Sequence, residues 1–459
     1  MNHLGVQYNI NNIPKLDPDF VPYGVWMNAY LEGAEHPFSV AVEREDGKVS
    51  VFESALRGED FAEANQVFVD RLVKFLLWSV GGFRVYLCGC DKQAEELKKA
   101  YAEGGARIFD KNFMQDVYEC PFEIIITDKE HLPAANEATL AVGGHLEGCR
   151  IGFDAGGSDR KVSAVIDGKT VYSEEVVWFP KLQEDPNYHY EHILEAFRTA
   201  ASKMPRVDAI GVSSAGVFVG NCPKVASLFI KVPRERREEV KSIYERAAAA
   251  IGDVPLAVAN DGDVTALAGS MSLGSGEVMG LAMGTSEAVG YVAGDGNVLG
   301  WFNELAFAPV DVSDKAMQDE WSTDFGVGCK YFSQDAVIKL APRVGIQLDE
   351  AMTPAEKLTV VQELMEKDDP RAQAIYTDIG RYLAYTVSLY SRFYDIQRMM
   401  VLGRVMSGTG GDTILAECQR VLKDEFPKLY ETIQVMLPDE NTRRVGQSVA
   451  AASLPELMK

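Results

Sequence analysis

Four short polar stretches, each following an apolar strand pattern, carry the residues whose types could do chemistry. In Ile151-Gly152-Phe153-Asp154 the apolar run ends on a carboxylate and passes directly into Ala155-Gly156-Gly157-Ser158. Glycines lack the Cβ atoms that keep backbone N–H groups away from phosphate oxygens, and a strand-end carboxylate such as Asp154 can hold hydrated Mg²⁺. An ordinary Gly-Gly hairpin with a solvated aspartate fits the same residues. Asn260-Asp261-Gly262-Asp263 stands between an apolar run at 255–259 and a small-residue helix pattern from Val264. An alcohol is a poor nucleophile until its proton is removed, and a positioned Asp261 suits that task. Asp263 suits the helix N-cap, which leaves Asp261 and Asn260 for a substrate. Gly284-Thr285-Ser286 is a hydroxyl-bearing turn between two strand patterns, and Gly408, Gly410 and Gly411 join the strand at 399–403 to a helix. Taken singly, these last two are also the composition of common hairpins and strand-to-helix joints.

The elements around these turns alternate between strand and helix patterns, which predicts an α/β fold. Strands are expected at 38–45, 48–54, 83–88 and 122–127, with helices near 62–80 and 92–104 among them. The Pro-, Ala- and Gly-rich stretch from Asp128 to Glu147 takes the main boundary. Strands joined by an Asp167-Gly168 turn follow, then a helix at 189–203, a strand at 208–212, a helix at 234–251 and a strand at 255–258. Paired strands flank Gly284-Thr285-Ser286, and a last helix is expected near 445–457.

Composition narrows the partners. With 68 acidic against 45 basic side chains the formal charge is -23, which opposes nonspecific attachment to nucleic acid or anionic membranes and favours a small-molecule partner. No run reaches the roughly 18 apolar residues of a membrane span, and the first residues lack a cationic segment followed by an apolar one, so a cytoplasmic location is expected. Seven scattered cysteines indicate reduced thiols, and Cys88-Gly89-Cys90, lacking a second pair, is taken as structural.

In order and spacing the four stretches resemble the phosphate-one, catalytic-aspartate, phosphate-two and adenosine motifs of the actin/hexokinase/Hsp70 superfamily, and within it the ROK (repressor, open reading frame, kinase) sugar-kinase family. DAGGSDRK is similar to that family's DIGGTK, VANDGDVTALAG to its ENDANAAALGE, and LAMGTSEAVG to its LGTGIGGG. RVDAIGVSSAGVFVGN resembles the IGIGxPGPVD segment, where sugar contacts cluster. The resemblance implies two ribonuclease-H-like lobes around a cleft, residues 149–262 plus about 443–459 forming the small lobe and 263–442 the large one. Residues 1–148 would be an additional α/β domain, with a degenerate duplicate, a lid or a dimerisation element as open readings.

Carried over residue by residue, the resemblance makes Asp261 the general base, and Asn260, Glu304, Ser214 and Gly216 sugar contacts. Asp154, Gly156, Gly157 and Ser158 would meet phosphate, with Asp154 organising Mg²⁺ through water; Gly284, Thr285 and Ser286 would approach the transferring phosphates, and Gly408, Gly410 and Gly411 would abut adenosine. The implied cofactors are ATP and Mg²⁺, the partner a sugar, and a homodimer is left open.

The chain departs from the motifs in two places. Ser322 and Asp324 stand where two zinc-ligand cysteines would be and Phe307 where a histidine would be, so Cys329 alone remains and no zinc is expected. Glu287 and Ala288 replace glycines, which would put a carboxylate near the γ-phosphate, with Arg160 and Lys161 as candidate compensating cations. The sequence therefore supports ATP- and Mg²⁺-dependent phosphorylation of a sugar hydroxyl. A noncatalytic sugar or nucleotide sensor, or an ATPase that drives a conformational change, are the alternatives.

Overall fold

In the computed structural model residues 1–137, 143–438 and 440–457 are described, with 440–445 as backbone only. The expected boundary at 128–147 and the end of the last expected lobe thus lie partly outside the described residues.

Helix α1 (Tyr23–Leu31) opens the first unit. Strand β1 (His36–Glu43) pairs antiparallel with β2 (Val49–Leu56) and with β3 (Arg84–Cys88), and β3 runs parallel to β4 (Glu123–Thr127). Helix α2 (Ala62–Ser79) buries Phe68, Val69, Leu72, Val73 and Leu76, the spacing of one apolar helical face. Helices α3 (Asp91–Ala100) and α4 (Ile108–Tyr118) follow. The expected strands are present; α4, absent from the sequence reading, buries only Asp110, Met114 and Val117, too sparse a face to stand out.

The second sheet has β5 (Cys149–Ala155), β6 (Asp159–Ile166), β7 (Lys169–Val177), β8 (Ala209–Ser214) and, after the hairpin β9 (Val217–Val219) and β10 (Cys222–Val225), strand β11 (Leu256–Asn260). Its order is β11-β8-β5-β6-β7, with β5, β8 and β11 mutually parallel in sequence of contact and β6 and β7 antiparallel. Helices α5 (Pro186–Ala201) and α6 (Ile243–Ala249) belong to this lobe. The single helix expected over 234–251 is broken: a 3₁₀ turn at Arg234–Arg236 after Pro233 leads into a short helix, Arg237–Lys241, before α6.

Helix α7 (Asp261–Leu273) leads to the third sheet, β13-β12-β14-β15, from β12 (Val278–Met283), β13 (Glu287–Val292), β14 (Arg398–Leu402) and β15 (Gln434–Met436). Here β12 and β14 are parallel, as are β14 and β15, and β13 is antiparallel to β12. Helices α8 (Pro370–Tyr390) and α9 (Thr409–Glu425) belong to this lobe, and the last helix, α10 (Glu440–Ala452), returns to the second sheet. This is the expected two-lobed α/β architecture. In both lobes the first strand is paired in parallel to the strand that follows a helical crossover, whereas β1 and β3 are antiparallel. The first unit's sheet thus pairs its strands differently from either lobe.

Burial divides the chain differently from its sheets. One apolar core runs from the first unit into the third sheet's lobe, with Phe75 4.2 Å from Phe393 and Trp78 4.6 Å from Phe307 by ring centroid. Helix α1 lies against α8 because Gly24 has no Cβ; one there would sit 2.9 Å from Leu389 Cα. A separate core, including Phe153, Trp178 and Phe197, fills the second lobe. Helix α10 lies across β5 and β8, where a Cβ on Gly152 or Gly211 would collide with the carbonyl oxygens of Ser448 and Ala451. No described helix is long and apolar enough to cross a membrane.

Candidate active site

The parallel strands β5, β8 and β11 end side by side, and ligands of open α/β sheets gather beyond such carboxyl ends. Register sets Asp154 opposite Ser213, and Ser214 opposite Asn260. Asp154 is 7% exposed and accepts a hydrogen bond from Ser213 Oγ at 2.9 Å. Burial, and to a lesser degree the charge of Asp261, pushes its pKa up to about 6 although the serine opposes the shift.

Beyond Asp154 the chain turns through Gly156, Gly157 and Ser158. The fully buried Trp178 fixes that turn, donating from Nε1 to Gly156 O at 2.8 Å and from its backbone N–H to Ser158 O at 3.1 Å. A Cβ on Gly156 would lie 2.7 Å from Asp159 O. A Cβ on Gly157 would lie 2.8 Å from Lys181 Cε and 2.9 Å from its Nζ. Lys181, in the 3₁₀ turn Pro180–Leu182, has no ion pair or hydrogen bond among the described residues, and its charge draws down the pKa of Asp261. The cations anticipated from sequence are engaged elsewhere, Arg160 with Glu195 at 2.5 Å and Lys161 with Glu175 at 3.7 Å. Lys181 was missed because it is remote in sequence and follows a third strand rather than the turn itself.

Asn260, not Asp263, caps α7: its Oδ1 accepts from Gly262 N at 2.7 Å and its Nδ2 donates to Gly216 O at 2.7 Å. That second bond ties the Gly216 loop to the start of α7. Gly216, at φ 129°, lies where a Cβ would meet Val225 O at 2.6 Å. Ser214 is fully buried and accepts from Tyr244 Oη at 2.9 Å, so its hydroxyl is held inside the lobe rather than presented to the cleft.

Asp261 is the first residue of α7 and is half-buried. Burial raises its pKa, while the Gly262 N–H and Lys181 oppose the rise. Glu304 feels its charge: burial first, then the charges of Asp261 and Asp263, lifts its pKa to about 8. Asp263 is buried, accepting from Asn303 Nδ2 at 3.0 Å and Tyr291 N at 3.3 Å, with its pKa raised by burial to about 7. The segment before Glu304 is pinned by the first unit, since Phe302 N–H donates to Val80 O and Asn303 N–H to Ser79 O. Gly290 allows α7 to approach β13 closely, because a Cβ there would strike Gly262 O.

The Gly284-Thr285-Ser286 turn exposes both hydroxyl residues, and Gly284 O accepts from Gln334 N at 2.9 Å. Glu287 does not face that turn's open side. It is buried, accepts from Tyr390 Oη at 3.0 Å, and burial raises its pKa to about 8. Gly408 (φ 66°) starts α9, while Gly410 and Gly411 are packed against the Tyr376 ring and Met406 O, contacts that a Cβ would close. Gly410 thus lets α9 begin close to α8, and Gly411 lets it fold tightly onto the preceding 3₁₀ turn.

Where two zinc-ligand cysteines were compared, an ionic cluster stands. Asp324 is paired with Arg71 at 2.8 Å, Arg107 at 2.8 Å and Lys74 at 3.2 Å, all from the first unit. Ser322 donates through N–H and Oγ to Asp319 Oδ2, both at 2.7 Å, and the buried Cys329 thiol lies 3.6 Å from Asp319.

No family model matches the sequence, and no curated protein matches it. Solved structures do match. A ROK-family transcriptional regulator, a homologue of the E. coli MLC protein, superimposes with a TM-score of 0.50 at 15% identity, covering 67% of this chain and 78% of its own. The chain shares that regulator's fold over two thirds of its length. A ROK hexokinase from Thermus thermophilus aligns at 20% identity and TM-score 0.49, covering 66% of this chain and 97% of that one. A ROK glucokinase from Streptomyces griseus, solved with glucose and AMPPNP, aligns at 18% identity and TM-score 0.45, covering 66% and 98%.

Proposed function

We propose that the protein transfers a phosphoryl group from ATP to a hydroxyl of a sugar, with Asp261 as the general base. The observation that carries this is the meeting of Asp154, the Gly156–Ser158 turn, Lys181 and Asp261 at the carboxyl edge of three parallel strands. Each part has a task in phosphoryl transfer, which depends chiefly on positioning and charge stabilisation.

Magnesium fits this donor set. Mg²⁺ keeps several waters and takes only one or two protein carboxylates beside phosphate oxygens, and Asp154 has one oxygen committed to Ser213. No described group of three or more His, Cys, Asp or Glu side chains forms a metal cage. Bound MgATP supplies the phosphoryl group. The backbone N–H groups of Gly156 and Gly157 would hold its phosphates, Lys181 would offset their charge, and Asp261 would take the proton of the attacking hydroxyl. Gly216, held by Asn260, and Glu304 orient the sugar. Glu304 with a pKa near 8 is largely protonated at neutral pH and donates a hydrogen bond to a sugar oxygen without adding charge beside Asp261.

A ROK regulator of the same fold supports a second reading, a sensor that binds sugar without turnover. Incubation with MgATP and a pooled sugar library, with Asp261→Asn beside the wild type, separates the two. A phosphorylated sugar seen by mass spectrometry only with wild type establishes the kinase; bound sugar without product supports the sensor.

A further inference from the structure

The first unit does more than pack on the large lobe. Its helix α4 forms one wall of a 770 Å³ cavity whose opposite wall comes from β10 and the segment 225–241 of the second lobe. That volume lies in the upper part of the roughly 300–1,000 Å³ that ligand sites span.

Two lines of contact lead from Asp261 to this cavity. On one side Asn260 holds Gly216, and Gly216 abuts Val225 and Ala226, which line the cavity. On the other, Glu304 begins the turn that carries Phe307, whose ring centroid is 5.3 Å from that of Trp321, another lining residue. Lining residues of the cavity are thus one contact away from Gly216 and from the turn that follows Glu304, the two places proposed to orient the phosphate acceptor.

Its lining is specific. Phe109 and Phe113 of α4 stand 5.4 and 6.3 Å from Trp321 by ring centroid, and Trp321 is 63% exposed, an unusual placement for so large an aromatic. Around them Asn112 and Asp116 from α4 face Arg234 and Arg237 from the other wall, and none of the four is paired with another side chain among the described residues. Glu119, at the end of α4, bridges Lys224 at 2.8 Å and Lys241 at 2.7 Å, so the walls are joined without using those four groups.

We infer that this cavity is a subsite for a second sugar ring, so that the substrate class is a disaccharide or longer glycoside; the inference rests on the kinase reading for the position of the first ring. A pyranose has a C–H face that packs on aromatic rings and a rim of hydroxyls that both donate and accept. Trp321 with the two phenylalanines meets the face. Asn112, Asp116 and the two arginines meet the rim, and the presence of Asp116 among them favours a neutral polyol over an anion.

The test is calorimetric titration of the full chain with glucose, N-acetylglucosamine and their β1,4-linked disaccharides, with ADP release under MgATP followed in parallel. Trp321 is exposed, so Trp321→Ala should fold; Asn112→Ala is the second variant. The inference expects each preferred disaccharide to bind roughly tenfold tighter than its monosaccharide, and the ratio to fall below about threefold in either variant while monosaccharide affinity is kept. A wild-type ratio near one, or equal loss for both ligands in Trp321→Ala, overturns it. Monosaccharide phosphorylation with no gain from the second ring removes the subsite and leaves the kinase. A Trp321-dependent disaccharide preference without ADP keeps the subsite and removes the kinase. Absence of any sugar binding removes both.

Discussion

Lys181 and Gly157 are in direct apposition: the point at which a Cβ of Gly157 would stand is 2.9 Å from the lysine ammonium. The same ammonium depresses the pKa of Asp261. One cation thus stands beside both the proposed phosphate turn and the proposed base, and the absence of a side chain at Gly157 leaves it room there.

Lys181→Ala should lower kcat by about 10²-fold or more, the scale of removing one preorganised donor from a transition state. Lys181→Arg should restore part of it. Sugar affinity measured by calorimetry should stay within about threefold, since no sugar-side residue touches Lys181. An unchanged kcat in the alanine variant would remove Lys181 from the mechanism.

Asp261 predicts an acid limb in the pH profile. Its pKa is raised above the ordinary aspartate value, and the base works only when ionised, so kcat/KM should fall as pH drops through that raised value. Removing Lys181 takes away a charge that favours the carboxylate, so the limb should move to higher pH in Lys181→Ala. Asp261→Asn should lose roughly 10²–10⁴-fold in kcat while retaining sugar binding. Stopped assays across pH 4 to 8 would show both effects.

Much of this site was legible as polar turns that end apolar strands, because strand register carries Asp154, Asn260 and Asp261 to one edge once the strands are parallel. What was not legible depended on contacts distant in sequence. Lys181 reaches Gly157 only after β6 and β7 fold back, and the pinning of Asn303 by Ser79 joins residues more than 200 positions apart. Asp263 resembled a cap as well as Asn260 does, and the choice is made by Asn303 and Tyr291, which take its carboxylate. The inward turn of Glu287 did have a sequence signal. It alternates with Val289 and Tyr291, and the period of two places all three on the core face of β13.

That buried glutamate makes stability depend on pH. The folded pKa values of Glu287 and Glu304, both about 8, lie above the ordinary value of 4.5. Groups shifted this way contribute stability that is complete below their unfolded pKa and lost as pH rises through the folded one. The thermal midpoint of the unliganded protein should therefore fall between about pH 4.5 and 8, and Glu287→Gln, which keeps the Tyr390 hydrogen bond, should flatten that fall. Scanning calorimetry of wild type and variant across that window measures it. A wild-type midpoint that rises steadily to pH 8 would contradict the assignment.

Asp324 poses the opposite case. Burial works against its charge, but Lys74, Arg71 and Arg107 outweigh it and hold the carboxyl well below the aspartate range. Asp324→Asn should leave three buried or half-buried cations short of a partner and destabilise the chain by about 3–5 kcal/mol, the usual consequence of breaking a buried pair from one side. Because Arg71, Lys74 and Arg107 belong to the first unit and Asp324 to the large lobe, the loss should appear as one cooperative unfolding transition shifted to lower denaturant, not as release of a separate domain. Urea unfolding followed by tryptophan fluorescence and by circular dichroism decides this. Coincident curves shifted together support one body with a shared core, and a first unit that melts alone while the lobes persist would show that the ionic cluster, rather than the apolar contacts of Phe75 and Trp78, holds it in place.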